Sequence, residues 1–131
     1  MTTLQPFVDI EKAVMALLDR DVPEIAEKSG TEWPSPLTYP AVRVERLPGR
    51  RDRLNDYPWV DIEVIDDGVQ GKLLLEAIDT ALASYPGGVA VGDRFVKLEL
   101  VGVPTPPRRL PWSDDRVRRY AATYQIRARR S

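Results

Sequence analysis

Apolar residues recur along this chain with two periods, and the switches between them divide it into elements. In "PFVDIEKAVMALLDRDVP" the residues Phe7, Ile10, Val14, Leu17 and Leu18 fall on one stripe, the spacing of an amphipathic helix. Pro6 suits its first turn, where no N–H is needed, and Pro23 stops its continuation. A second stripe, Leu73, Leu74, Ala77, Ile78, Ala81 and Leu82, runs through "GVQGKLLLEAIDTALASYPGG". Asp66 or Asp67 is placed to cap this second helix, and Gly87 and Gly88 to end it.

Elsewhere the period is two. "AVRVERL" sets Val42 and Val44 against Arg43 and Glu45, and "WVDIEVI" sets Val60, Ile62 and Val64 against Asp61 and Glu63. "FVKLELVG" repeats the alternation with Val96, Leu98 and Leu100 against Lys97 and Glu99. In the final stretch Tyr120, Ala122, Tyr124, Ile126 and Ala128 fall on one side, with Arg119, Ala121, Thr123, Gln125, Arg127 and Arg129 on the other. Extended from Arg116 to Arg129, that strand would reach on the order of 45 Å at roughly 3.3 Å per residue, which predicts that it overhangs its sheet. The pattern predicts an α+β fold: a mainly antiparallel four-stranded sheet, two helices packed on one face, and long hairpin loops. "PGRRDRLNDYP" is the basic tip of a hairpin, with Arg50, Arg51 and Arg53. "DVPEIAEKSGTEWPSPLTYP" is an irregular crossing segment pinned by Trp33 and Tyr39, and "VPTPPRRLPWSDD" is a proline-rich loop.

At 131 residues the chain fits one domain spanning 1–131, with a single core. It contains no uninterrupted apolar run of the roughly 18 residues that a membrane span needs, and its start lacks a signal-peptide layout, so a soluble, unprocessed protein with no membrane partner is expected. Cysteine and histidine are both absent, which removes disulfides, thiol nucleophiles, zinc–thiolate sites and the side chain most used for proton transfer near neutral pH. Enzyme classes lose most of their usual machinery.

The remaining chemistry is weak. "GVQGK" continues into Leu and is not a phosphate-binding loop. Asp61, Glu63 and Asp66 have the oxygens that a hard cation prefers, but cross-strand pairing with Arg or Lys is the simpler role. Asp114 and Asp115 are adjacent on an extended chain, so they point apart and do not form a proton-sharing dyad. No catalytic, cofactor-binding or metal-binding residue is assigned, and no cofactor is expected. Trp112, among Pro107, Arg108, Arg109 and Pro111, is either an interface anchor or a side chain folded back on its own core.

Charge is unevenly spread. The last sixteen residues carry Arg116, Arg118, Arg119, Arg127, Arg129 and Arg130 and no acid, +6 in all, whereas the rest of the chain stands at −7. Three uses fit these arginines and those of the tip: solvated charge on a sheet face, neutralisation of nucleic-acid phosphates, or contact between copies, with the basic end of one subunit meeting the acidic body of the next. A sequence pI near 5.5 and the lack of interleaved surface aromatics argue against a dedicated nucleic-acid binder.

Three stretches, "PAVRVERLPG", "WVDIEVIDDGVQGKLLLEAIDTAL" and "DDRVRRYAATYQIRARR", resemble the tail terminator proteins of long-tailed (siphovirus) bacteriophages, especially those of actinobacterial hosts. The likeness covers nearly the whole chain, and neck proteins of similar size, such as head-completion and tail-completion proteins, share a comparable layout. The resemblance implies a structural, non-enzymatic virion subunit that forms a hexameric ring. That ring caps the tail tube, ends its polymerisation, and docks the head–tail connector or stopper protein, while DNA passes through the lumen without sequence-specific binding. It would sit at the head-proximal end of the tail in the virion, and in the host cytoplasm during assembly. On this basis Arg50, Arg51, Arg53, Arg108, Arg109, Trp112, Arg127 and Arg129 are expected at subunit or partner interfaces. Arg43, Glu45, Asp61, Glu63, Lys97, Glu99 and Arg119 are expected to face the lumen or a neighbouring subunit.

Overall fold

A computed structural model describes residues 5–84 and 87–129; Arg130, counted with the basic end, lies outside them. In chain order the elements are α1 (Ile10–Asp21), a 3-10 turn (Pro23–Ile25), β1 (Ser29–Gly30), β2 (Ala41–Arg51) and β3 (Asn55–Asp66). There follow α2 (Gln70–Ala83), β4 (Gly87–Val91), β5 (Arg94–Leu110) and β6 (Arg118–Arg129). All six strands join one sheet in the order β1-β2-β3-β6-β5-β4, which curls as a half-barrel around both helices. The fold is α+β, but the expected four-stranded antiparallel sheet is wrong: there are six strands, and β1 runs parallel to β2.

Two short edge strands account for the difference. β4 is "GGVAV", and its two glycines read as a helix stop, whereas Gly88 pairs with Lys97 and lies under the Phe95 ring. Gly92 at φ +62° makes the tight turn into β5, a conformation that a side chain disfavours. α2 ends earlier, at Ala83. β1 holds only two residues, Ser29 and Gly30, too few to show a period.

α1 begins after the expected Pro6, because Asp9 caps it by accepting bonds from the N–H groups of Glu11 and Lys12 at 3.0 and 3.3 Å. Ile10, Val14, Leu17 and Leu18 are buried, as their spacing requires, while Phe7 lies outside the helix. In α2 the buried positions are Leu74, Leu75, Ile78 and Leu82; Leu73, assigned to the stripe, is 58% exposed. Asp66 caps this helix from four residues upstream, accepting from Gln70 N at 3.1 Å. α1 lies against β4, β2 and β1, and α2 against β3, β6 and β5, so one core fills the curled interior. Tyr120, Ala122, Tyr124, Ile126 and Ala128 of β6 all face it.

β6 does not overhang. It is paired on both sides, with β3 from Asn55↔Arg129 to Asp66↔Arg118 and with β5 from Leu98↔Ala128 to Leu110↔Arg119. Its neighbours grow to match it because the proline-rich stretch, expected as a loop, is the second half of β5. Pro104, Pro106 and Pro107 are tolerated there since β4 pairs only with Arg94–Leu98, leaving the rest of β5 as a free edge where missing donors do no harm. The ladder to β6 shifts register three times along that stretch.

The β2–β3 hairpin is likewise longer than expected. Strand pairing runs into the tip and leaves only residues 52–54 between the strands, where Asp52 accepts from Leu54 N and Asn55 N at 2.9 and 2.8 Å. A register shift between Leu47 and Arg50 makes room for Gly49, where a Cβ would lie 2.1 Å from the Tyr57 carbonyl oxygen. Backbone cannot yield as a side chain can. Gly49→Ala is expected to destabilise the chain by about 2–3 kcal/mol, an overpacking cost, and to raise amide exchange selectively in the tip. Unchanged exchange there would show that the bulge opens freely.

Candidate functional site

The sheet face opposite the helices carries most of the residues singled out above, and strand register arranges them in rows. One row runs Gly30, Arg43, Glu63, Ala121, Arg108 across β1, β2, β3, β6 and β5. The next holds Glu45, Asp61, Thr123 and Thr105. Beyond it lie Leu47, Trp59, Gln125 and Gly102, and toward the tip come Arg50 with Tyr57 and Arg127 with Glu99.

Glu63 is the centre of the first row. It is 3% exposed and accepts two bonds from Arg119, at 3.0 and 2.8 Å, with Arg43 at 3.1 Å on the other side. Burial alone would raise its pKa, but the bonds from Arg119 and the charges of both guanidiniums outweigh that and hold the carboxyl below its usual range. Asp61 goes the other way. Burial first, and then the nearby Glu63, push it up, while its contact is the Thr123 hydroxyl at 3.2 Å.

A small second core, beyond the single core expected, flanks the ionic row along the strands. Ala41, Ile65 and Val117 are buried there under Trp33, Leu37, Tyr39 and Trp112, supplied by the crossing segment and by the loop before β6. Trp112 meets Trp33 edge to face with ring centroids 6.0 Å apart. Arg43 lies over Trp33 at 5.3 Å and Arg119 over Trp112 at 5.8 Å, so aromatics cover the arginines that cover Glu63. Trp112 thus packs within its own chain, and the crossing segment is pinned by Trp33 and Tyr39 as expected.

The tip arginines are also engaged. Arg50 stacks on Tyr57 at 3.8 Å; Arg51 makes two bonds to Asp56, at 3.2 and 3.1 Å, and lies 4.2 Å over Phe7. Arg53 is exposed. Asp56, 1% exposed, also receives two bonds from Arg46 at 2.6 and 2.8 Å, and the Arg46 N–H donates to Glu11 at 3.0 Å. This clamp ties the tip to the start of α1. Sequence reasoning missed Asp56 and Arg46, yet a signal existed: Arg46 follows Val42 and Val44 on the dry face, and Asp56 precedes Pro58 and Val60 on it. Two opposite charges breaking the dry alternation of one hairpin imply a buried pair.

The other singled-out residues stay at the surface. Arg127 pairs with Glu99, Glu45 lies 3.8 Å from Arg43, and Lys97 and Arg129 are exposed near the tip. Arg108 and Arg109 are exposed on the free edge of β5. Among the described residues no group of three or more acidic side chains could hold a metal ion, and no helix is long and apolar enough to cross a membrane.

No family model matches the sequence, and no curated protein matches it significantly. A solved structure does. It is described as the virion of a native gene transfer agent (GTA) particle, with a TM-score of 0.60 at 18% identity, covering 92% of this chain and 94% of that one. The likeness shows a shared fold end to end.

Proposed function

We propose that this chain is a structural subunit of a phage-like virion, a tail terminator whose single domain assembles into a hexameric ring. The observation that carries the proposal is the fold likeness to a chain of a gene transfer agent virion over nine-tenths of both chains. The distribution of side chains supports it. The most buried ionic groups are used to lock the sheet, not gathered around a cavity, which suits a part that must hold shape under load and not an enzyme. On this reading the ring caps the tail tube, ends its growth and docks the connector or stopper protein, and DNA passes through its lumen without sequence-specific binding. The protein would reside at the head-proximal end of the tail after assembly in the host cytoplasm.

Within that ring, the part of the ionic face exposed toward a lumen or neighbour is the half toward the tip, with Lys97 and Arg129 beside the surface pair Arg127–Glu99 and with Glu45 against Arg43. Arg43, Glu63 and Arg119 are occupied by one another. Size exclusion with light scattering, followed by negative-stain imaging of the full chain alone and with tail tube protein, tests the proposal. Annular six-subunit particles are expected. A chain that stays monomeric at high concentration in both conditions overturns it.

A further inference from the structure

The row through Glu63 ends at opposite edges of the sheet, and those ends carry opposite charge. At one end is Gly30 of β1, flanked by exposed Glu24, Glu27 and Glu32, with Lys28 the one exposed cation among them. At the other is Arg108 of β5, followed by Arg109, both exposed. Among the described residues none of these three glutamates and neither arginine makes an ion pair within the chain. Acids stand near this end as well, Asp61 toward Arg108 and Asp115 lining a pocket with Arg109, while Asp114 is held by Arg116; Arg108 and Arg109 nevertheless remain exposed at the edge.

Shape follows charge. The β1 end is a groove of about 220 Å³ in which Glu27 and Glu32 outnumber one cation, Lys28, beside Ser29, Gly30 and Pro40. Glu27 is held there in the left-handed region, φ 64°, by a 2.9 Å bond from its N–H to Asp19. The β5 end is a free edge that carries half-exposed Val101 and Val103 beside the arginines. Pro104, Pro106 and Pro107 deny that edge a continuous ladder with another strand, so contact through it must run mainly through side chains.

We infer that Arg108 of one copy seats in the Glu27–Glu32 groove at the β1 edge of the next, with Arg109 beside it on the helix side of the same edge, a head-to-tail contact between copies of this chain. The two surfaces differ, so repetition generates a ring or a filament and not a two-fold dimer. The inference rests on the ring proposed above and names its interface, including an acidic half that no arginine count reveals.

Absence of cysteine makes the test direct. Glu32→Cys and Arg108→Cys are introduced together; four strand spacings of roughly 4.8 Å set the row's ends about 19 Å apart along the curved sheet, with three strands between them, too far for a disulfide within one chain. Under oxidation the full chain is expected to yield a ladder of covalent dimers, trimers and higher species. In parallel, Arg108→Glu with Arg109→Glu is expected to raise the concentration needed for assembly at least tenfold, and adding Glu27→Arg with Glu32→Arg to bring it back within about threefold of the original. Rings that form normally in the reversed variant, with no ladder from the cysteine pair, overturn this interface and leave the ring standing. A chain that never multimerises and never cross-links overturns both.

Discussion

Glu63→Ala lowers the unfolding free energy by about 2–4 kcal/mol, because it leaves Arg43 and Arg119 facing each other over a buried site with no anion between them. The value sits toward the low end for a broken buried pair, since each arginine side chain keeps about a quarter of its surface in water and relaxes outward. At this chain length the loss corresponds to a fall in Tm of roughly 10 °C. Glu63→Leu together with Arg119→Met is expected to recover most of the loss, which a merely polar surface residue would not show. A single-variant shift below about 2 °C would mean that the cluster contributes no more than an exposed pair.

The same site sets the acid response. Glu63 and Asp56 are held below their ordinary pKa values, so their stabilisation is present above the unfolded-state values, near 4.5 and 3.8, and is lost as pH falls through the lower folded-state values. Asp61 has the opposite sign. Its folded-state pKa is raised, so the folded chain takes up a proton there before the unfolded chain does, and stability rises slightly as pH falls through that value toward the unfolded-state one. Tm measured against pH should therefore pass a shallow maximum above the unfolded-state range and then drop steeply below about 4. In Glu63→Gln the steep limb should flatten.

Asp56→Ala is the second large effect, about 2–3 kcal/mol, and a local one. The carboxylate takes four charge-assisted bonds, two from Arg46 and two from Arg51, in a site closed to water. Burial would raise its pKa, but these donors more than reverse that. Without it the Arg46 and Arg51 side chains lose their shared anion and the tip loosens, while the Arg46 N–H bond to Glu11 and the β3–β6 ladder remain. Trypsin should then cut after Arg51 and Arg53 at least tenfold faster, ahead of global unfolding. Equal acceleration at all sites would show that the clamp supports the whole fold instead of the tip.

The legible parts of this molecule were those governed by neighbours in sequence. The α1 stripe from Ile10 onward, the Asp66 cap and the inward set on β6 follow from backbone period and local hydrogen bonding, and the structure places them as read; Phe7, read into the stripe, lies before the helix. β4 and the second half of β5 were not legible, because glycine pairs and prolines signal breaks locally and become strands only when a long partner stands beside them. The tip arginines looked like free charge for the same reason. Their partners, Tyr57 and Asp56, come into reach only once the hairpin register is fixed.

By itself the sequence determined most of the apolar side chains that are dry, roughly where the helices lie and that the chain's charge is divided, since each follows from spacing along a few residues. Only the tertiary structure decided that the last strand is central, that Arg119 locks Glu63 across a separation of 56 residues, and that the free charges stand at opposite ends of one row. Strand order and register are set by contacts between distant segments, and the cost of closing those long loops is met by the core as a whole, not by any local pattern.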